Sequence, residues 1–76
     1  MGAAAQTAAE QAERYLATHR SDGTTWQALQ AGIDAKAFPA PSAQSRSRSG
    51  DQESWSVSWG DGSELHQPAA GPVQRR

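Results

Sequence analysis

The feature that most constrains the fold is the stretch 55–67, in which large apolar residues alternate with small polar ones. Trp55, Val57 and Trp59 are separated by single serines, and the alternation breaks at Asp61, which lies between two glycines. Alternation with a period of two is typical of a strand that buries one face, and a glycine-flanked aspartate is typical of a turn. The stretch therefore predicts a β-hairpin with tryptophans on its buried face.

The register of this hairpin depends on which side chains must share a face. A two-residue turn at Asp61 and Gly62 would place Leu65 on the serine face, away from the tryptophans. A three-residue loop at 60–62 instead pairs Val57 with Leu65 and brings the large apolar side chains to one side. Such a loop also needs a left-handed residue where Gly62 stands. We therefore predict the three-residue loop, with Gly62 at a positive φ.

Composition limits the chain to one small domain with few core residues. Of 76 residues 36% are hydrophobic, but 15 of these are alanine, and Leu, Ile, Val and Phe together number seven. A domain of this size with so few large side chains has marginal stability. Cysteine is absent, which excludes disulfides and thiolate metal sites. Neither a phosphate-binding loop nor a calcium-loop spacing is present, so we expect no cofactor and no metal.

No targeting or membrane segment is expected. The start of the chain lacks the basic residues and the leucine-like run of a signal peptide. No apolar stretch approaches the length needed to span a bilayer. We therefore expect a cytoplasmic protein that does not enter a membrane.

Two helices are predicted before the hairpin. Residues 3–20 consist largely of strong helix formers and contain neither Gly nor Pro. Thr24 and Gln27 have the spacing of a capping box, which predicts a second helix over 25–38. Gly32 leaves two alternatives for this helix: it is continuous, or it breaks at the glycine, the alternative that we favour.

The predicted fold class is α+β, with two N-terminal helices packed on a C-terminal hairpin at 54–67. The segment 39–53 contains Pro, Ser, Gln, Arg and Gly but little that is apolar, so we expect a mobile linker. The tail at 68–76 is expected to be disordered for the same reason. Residues 1–67 then form a single small domain.

Residues 27–34 resemble the centre of a helix-turn-helix. In that family a small residue precedes a turn glycine by four positions, and a capping residue then opens the recognition helix; Ala28, Gly32 and Asp34 occupy these positions. The resemblance implies a small DNA-binding regulator, in which the hairpin would be similar to a wing. The basic residues that would contact nucleic acid under this alternative are Lys36, Arg46 and Arg48.

Catalysis is not expected. Asp61, Ser63 and His66 are the residue types of a catalytic triad, but they lie close together on one hairpin, with nothing to exclude water. We therefore predict no enzyme.

The leading hypothesis is a non-enzymatic module that binds another protein or protein complex and inhibits, regulates or adapts it. A marginal domain gains stability from a partner, and tryptophan is enriched where binding energy concentrates. Trp59, beside the loop, is the first candidate anchor, while Trp26 is expected in the core. The predicted partner-binding residues are Trp59, Asp61 and Trp55. A homo-oligomer is compatible with this hypothesis, and phages and plasmids are possible sources.

Overall fold

The computed structural model describes residues 6–19 and 24–75, which form two helices and one antiparallel sheet. The predicted α+β class is confirmed. The helices are α1 (Ala8–Thr18) and α2 (Thr25–Asp34). The strands, which neighbour one another in chain order, are β1 (Ala43–Ser49), β2 (Gln52–Ser58), β3 (Glu64–Gln67) and β4 (Gln74–Arg75).

Helix α1 begins at a capping box that the sequence reading missed. The Thr7 hydroxyl accepts from the Glu10 N–H at 3.1 Å, and the Glu10 carboxylate accepts from the Thr7 N–H at 3.1 Å. These two bonds satisfy donors that the first turn leaves free. The predicted start near residue 3 is therefore wrong for residues 6–7, which precede the helix; residues 3–5 and 20 lie outside the described residues.

Helix α2 begins at the predicted capping box. The Thr24 hydroxyl accepts from the Gln27 N–H at 3.1 Å, and the Gln27 side chain accepts from the Thr24 N–H at 3.1 Å. The helix then passes through Gly32 without a break and ends at Asp34. Neither alternative for this helix is right, because it neither breaks at the glycine nor reaches residue 38.

A left-handed residue ends α2. Lys36 has a φ of 57°, and its N–H donates to the Ile33 carbonyl at 3.1 Å. The Ala37 N–H donates to the Gly32 carbonyl at 2.9 Å. This pair of bonds is a Schellman motif, which satisfies the last carbonyls of a helix. The chain therefore turns before Pro39.

Gly32 is needed because two aromatic rings lie against it. A Cβ atom built at this position would lie 2.8 Å from a Tyr15 ring carbon and closer still to the Phe38 ring. The Phe38 ring in turn contacts Trp59 edge to face, with centroids 6.4 Å apart. The missing side chain thus lets α2 approach α1 and the aromatic core closely.

The hairpin of β2 and β3 has the predicted register. Val57 pairs with Leu65 and Trp55 with Gln67. The loop between the strands is closed by the Gly62 N–H, which donates to the Trp59 carbonyl at 3.1 Å. Gly62 has a φ of 88°, so the predicted loop and its left-handed glycine are confirmed.

The predicted linker and tail are wrong where they form strands. Residues 43–49 form β1 within the predicted linker at 39–53, and β2 begins at Gln52 rather than 54. Strand β4 lies within the predicted disordered tail. The physical reason for β1 is backbone pairing: a two-residue turn at Gly50, whose φ is 62°, connects it to β2 in continuous register.

The core lies between the helices and one face of the sheet. Alanines of α1 contribute to it because methyl groups let the helix approach the sheet closely, while the large side chains come from both helices, from β2 and β3, and from the loops that follow α2 and β2. The buried hydrophobic residues are Ala8, Ala9, Ala12, Leu16, Leu29, Phe38, Trp55, Val57, Trp59 and Leu65.

Candidate functional site

The two tryptophans predicted to bind a partner are core residues in this structure. Trp59 is 5% exposed and Trp55 is 3% exposed. The Trp59 indole N–H donates to the Pro39 carbonyl at 2.7 Å, and that of Trp55 donates to the Thr25 hydroxyl at 3.1 Å and to the Gln67 amide oxygen at 3.0 Å. The Trp59 ring is therefore covered, although its position beside the loop led us to expect a partly exposed anchor. Partner binding through these side chains remains a prediction.

Trp26 is the tryptophan that reaches the surface. Its side chain is only partly buried, although we expected it in the core. Its ring lies 6.2 Å from that of Trp55, and the Arg46 guanidinium carbon lies 5.4 Å from its centroid. This distance is that of a cation–π contact. The exposed aromatic surface therefore lies beside β1 and not beside the Gly60–Gly62 loop.

Asp61, the third predicted contact residue, caps helix α1. One of its carboxylate oxygens accepts from the Ala8 N–H at 2.9 Å, and the other accepts from the Ser63 N–H at 2.9 Å. The hydrogen bond from the Ala8 N–H, followed by those from Ser63, holds the pKa of Asp61 below its usual range. A carboxylate also interacts favourably with the N-terminal end of the helix dipole. Within the described chain, Asp61 therefore stabilises the fold.

The possible triad residues do not form a catalytic arrangement. The Ser63 hydroxyl donates to Asp61 at 2.5 Å and accepts from the Ala9 N–H at 3.1 Å. Both of its interactions therefore belong to the cap of α1. His66 lies on β3, where it pairs with Ser56 of β2, rather than between Ser63 and Asp61.

The residues predicted to contact nucleic acid lie on different elements. Lys36 lies in the turn after α2, and Arg46 and Arg48 lie on β1. Residues 35–38 form a turn where the helix-turn-helix resemblance implied a recognition helix. The Schellman motif at Lys36 is the reason. The DNA-binding alternative remains a prediction, and among the described residues no helix follows this turn.

The most open structural feature is the free edge of the sheet at β1. All seven residues of this strand are exposed, and among the described elements only β2 pairs with it. Ser49 and Gln52 flank the turn as the first pair of the hairpin. Hydrogen-bonded and non-hydrogen-bonded pairs alternate from there, so the N–H and C=O groups of Gln44, Arg46 and Arg48 point away from β2.

The two sides of β1 differ in chemistry. Gln44, Arg46 and Arg48 share the side of the sheet that faces α2, because their partners on β2 are Val57, Trp55 and Glu53. The opposite side carries Ala43 and three serines from β1, and the hydroxyls of Ser45 and Ser56 lie 3.0 Å apart. Because serine is small, this side of the edge leaves the backbone accessible.

Sequence reasoning missed β1 because it relied on apolar alternation. A second signal was present: a Gly50-Asp51 turn with serines at every second position on both sides. The serines on the two sides are those that share the outer face of β1 and β2. A period of two in small polar residues can therefore indicate a strand when a turn dipeptide lies at its centre.

A shallow groove of about 240 Å³ lies at the other side of the fold, lined by residues that include Leu16, Thr25, Gln67 and Val73. Among residues 6–19 and 24–75, no group of three His, Asp or Glu side chains is arranged to hold a metal ion. Nor does that part of the chain contain a helix with the length and apolar character to cross a membrane.

Comparisons with protein-family models, curated proteins and solved structures give no match.

Proposed function

We propose that this chain is a non-enzymatic protein-binding module that accepts an extended segment of its partner as an additional strand beside β1. The observation that carries the proposal is the seven-residue edge strand, exposed along its whole length and, among the described elements, paired on one side only. In this mode of recognition, main-chain hydrogen bonds supply affinity, and side chains at alternate positions supply specificity.

The geometry of β1 supports this mode over its alternatives. The strand contains no proline, and its register with β2 runs from Ala43 to Ser49 without a bulge. Proline and bulges are devices that natural edge strands use to prevent pairing. Strand β4, at the opposite edge, has only two residues. Of the two edges, β1 therefore offers the longer template.

A bound segment would also contact Trp26. This partly buried ring lies above Arg46, on the helix side of the edge. A partly exposed tryptophan is the kind of side chain that concentrates binding energy. By occupying a segment that its partner uses elsewhere, the module would inhibit, regulate or adapt that partner.

The test is selection of peptides from a random display library, with a proline variant as the counter-bait. Arg46→Pro removes a backbone N–H that points away from β2, so the hydrogen bonds between β1 and β2 are kept. An incoming strand loses this donor and encounters the proline ring in its place. Arg46→Gln is the matched control, because it removes the same charge and keeps the N–H. Circular dichroism and tryptophan fluorescence establish that both variants fold.

We expect selected peptides to bind the wild-type chain and Arg46→Gln but not Arg46→Pro. Their binding should shift the amide resonances of residues 44–48 in nuclear magnetic resonance spectra. Peptides that bind Arg46→Pro as tightly, or that shift only resonances distant from β1, would contradict strand addition. If Arg46→Pro fails to fold, peptides N-methylated at alternate positions supply the same test, because they lack the pairing donors.

A further inference from the structure

The charges along β1 are arranged asymmetrically. The Arg46 guanidinium forms an ion pair with the Glu53 carboxylate at 2.5 Å and lies over the Trp26 ring. These contacts hold the Arg46 side chain on the helix side of the sheet. Its guanidinium has five donors, so an ion pair with one carboxylate leaves others available.

Arg48 is the uncompensated charge of this edge. Its partner across the ladder is Glu53, but the Glu53 carboxylate pairs with Arg46, and Arg48 forms no ion pair with another described residue. Asp51 lies in the adjoining turn. The two arginines and the two acids, Asp51 and Glu53, give the hairpin a formal charge of zero (+2 − 2). The positive charge is therefore confined to the strand at the open edge.

An incoming strand would place its own side chains beside these arginines. In an antiparallel pair, directly opposed residues have Cβ atoms about 4.5–5.5 Å apart and lie on the same face of the sheet. Opposite charges at such positions stabilise the pair, and like charges destabilise it. A carboxylate opposite Arg48 would also match the planar fork of the guanidinium.

The same rule disfavours a second copy of this chain in the registers that bring the arginines of the two strands together. Two β1 strands related by a two-fold axis perpendicular to the sheet keep the same side facing α2. If the pairing is centred on Ser47, Arg46 of each copy lies opposite Arg48 of the other copy. If it is centred on Arg46 or on Arg48, that arginine lies opposite the same arginine of the other copy. Each of these registers opposes like charges at the centre of the interface.

We infer that β1 selects an acidic partner strand, one with carboxylates at alternate positions on the side that faces α2. This inference rests on the proposed function, because it names the chemistry of the strand that the edge would accept. The arginines act as a filter: they favour an acidic strand over a neutral one, and they oppose a basic strand and a second copy in the registers described above.

Three synthetic ten-residue peptides test the filter, alternating threonine with glutamate, with lysine or with serine. Titrations of the full chain, followed by amide resonances and by calorimetry, give the three affinities. We expect the glutamate peptide to bind about tenfold more tightly than the serine peptide, because two cross-strand charge pairs contribute. The lysine peptide should bind most weakly. Arg48→Glu should abolish the preference, because each charged peptide then meets one like and one opposite charge on β1.

Lys36→Glu is the matched control, because it makes the same change of charge in the turn after α2. It should leave the preference for glutamate in place, and loss of that preference in this variant would attribute the effect to net charge. Equal affinities for the glutamate and serine peptides, with shifts confined to residues 44–48, would overturn the acidic preference and leave strand addition standing. If none of the three peptides shifts those resonances, strand addition itself is contradicted. A concentration-dependent dimer in sedimentation that Arg46→Pro abolishes would overturn the inference in favour of a second copy.

Discussion

The two hairpins of this sheet share strand β2 but are stabilised in different ways. The β2–β3 hairpin buries Trp55, Val57 and Leu65 against the helices, and its loop caps α1. In the β1–β2 hairpin, every β1 residue is exposed. Its strands are joined by backbone pairing, small polar contacts and one ion pair on the surface. One hairpin therefore belongs to the core, and the other extends the sheet into solvent.

This difference separates stability from accessibility within a very small domain. Large apolar side chains are few, and the β2–β3 hairpin and the helices that cover it use nearly all of them. The second hairpin can then remain polar without weakening the core. Substitutions in an exposed strand of this kind should lower the stability of the fold only slightly. They should therefore change binding more than folding. The opposite should hold for the β2–β3 hairpin.

The largest contrast is expected between Trp59→Ala and Arg46→Ala, which each remove a long side chain from one hairpin. Trp59 is almost fully buried and its indole N–H is hydrogen-bonded, so its loss should cost about 3–5 kcal/mol. Arg46 is 38% exposed and forms a surface ion pair, so its loss should cost less than about 1 kcal/mol. Urea denaturation measures both. A stable Trp59→Ala variant would show that the tryptophan does not hold the core.

Trp26→Ala extends this test to the edge. Because the Trp26 ring is partly exposed, we expect its loss to cost less stability than that of Trp59 and to weaken binding at β1. Loss of folding in Trp26→Ala with retention in Trp59→Ala would reverse the assignment of core and surface.

The second contrast compares the two turn glycines. Gly50 and Gly62 have φ values of 62° and 88°, and at both positions the space for a Cβ is open. Substitution by valine should therefore cost about 1–2 kcal/mol of backbone strain in each turn. Gly62→Val should cost more than Gly50→Val, because a shift of its loop also removes the caps of α1. Equal losses in thermal unfolding would show that the loop and the helix are energetically independent.

The buried β2–β3 hairpin could be predicted from the sequence, whereas the exposed strand of the β1–β2 hairpin was missed. The tryptophan hairpin, its register and the capping box at Thr24 could be predicted because burial or capping requires particular residue types at particular positions. Strand β1 could not be predicted from apolar alternation, because it buries no side chain. The end of α2 was missed for another reason: Lys36 adopts the left-handed conformation that the sequence reading assigned to glycine. The free edge, and with it the candidate site, depends on pairing that only the structure shows.

The third prediction concerns pH and isolates the cap that Asp61 provides. Since hydrogen bonds lower the pKa of Asp61 in the folded chain, its contribution to stability is present above the ordinary aspartate pKa. That contribution is lost as the pH falls through the lowered, folded value. Asp61→Asn should therefore lower the melting temperature near neutral pH and have little effect in strong acid. Glu10, whose pKa is also lowered, first by the Thr7 N–H, titrates in both proteins and cancels in the comparison.

Ser63→Ala is the companion variant, because it removes the hydroxyl that accepts from the Ala9 N–H without removing a charge. It should cost about 1 kcal/mol, the usual value for a lost cap, at every pH above the ordinary aspartate pKa, because the hydroxyl also donates to the charged Asp61 carboxylate. If Asp61→Asn lowers the melting temperature equally at neutral and at acid pH, the carboxylate charge does not contribute to the cap.

The smallest expected effect tests whether β1 is a paired strand in solution. Ser47 faces Ser54 across the ladder on the open side of the sheet, where no other described element covers it. Threonine is favoured over serine in strands, so Ser47→Thr should raise stability by a few tenths of a kcal/mol. With Ser54→Thr in the same chain, the two methyl-bearing side chains should contact across the strands and add a further 0.2–1 kcal/mol or so. A double-mutant cycle by urea denaturation measures this coupling. A coupling near zero, with Ser47→Thr neutral, would mean that β1 is not held against β2, and the free edge would then be no template for a partner.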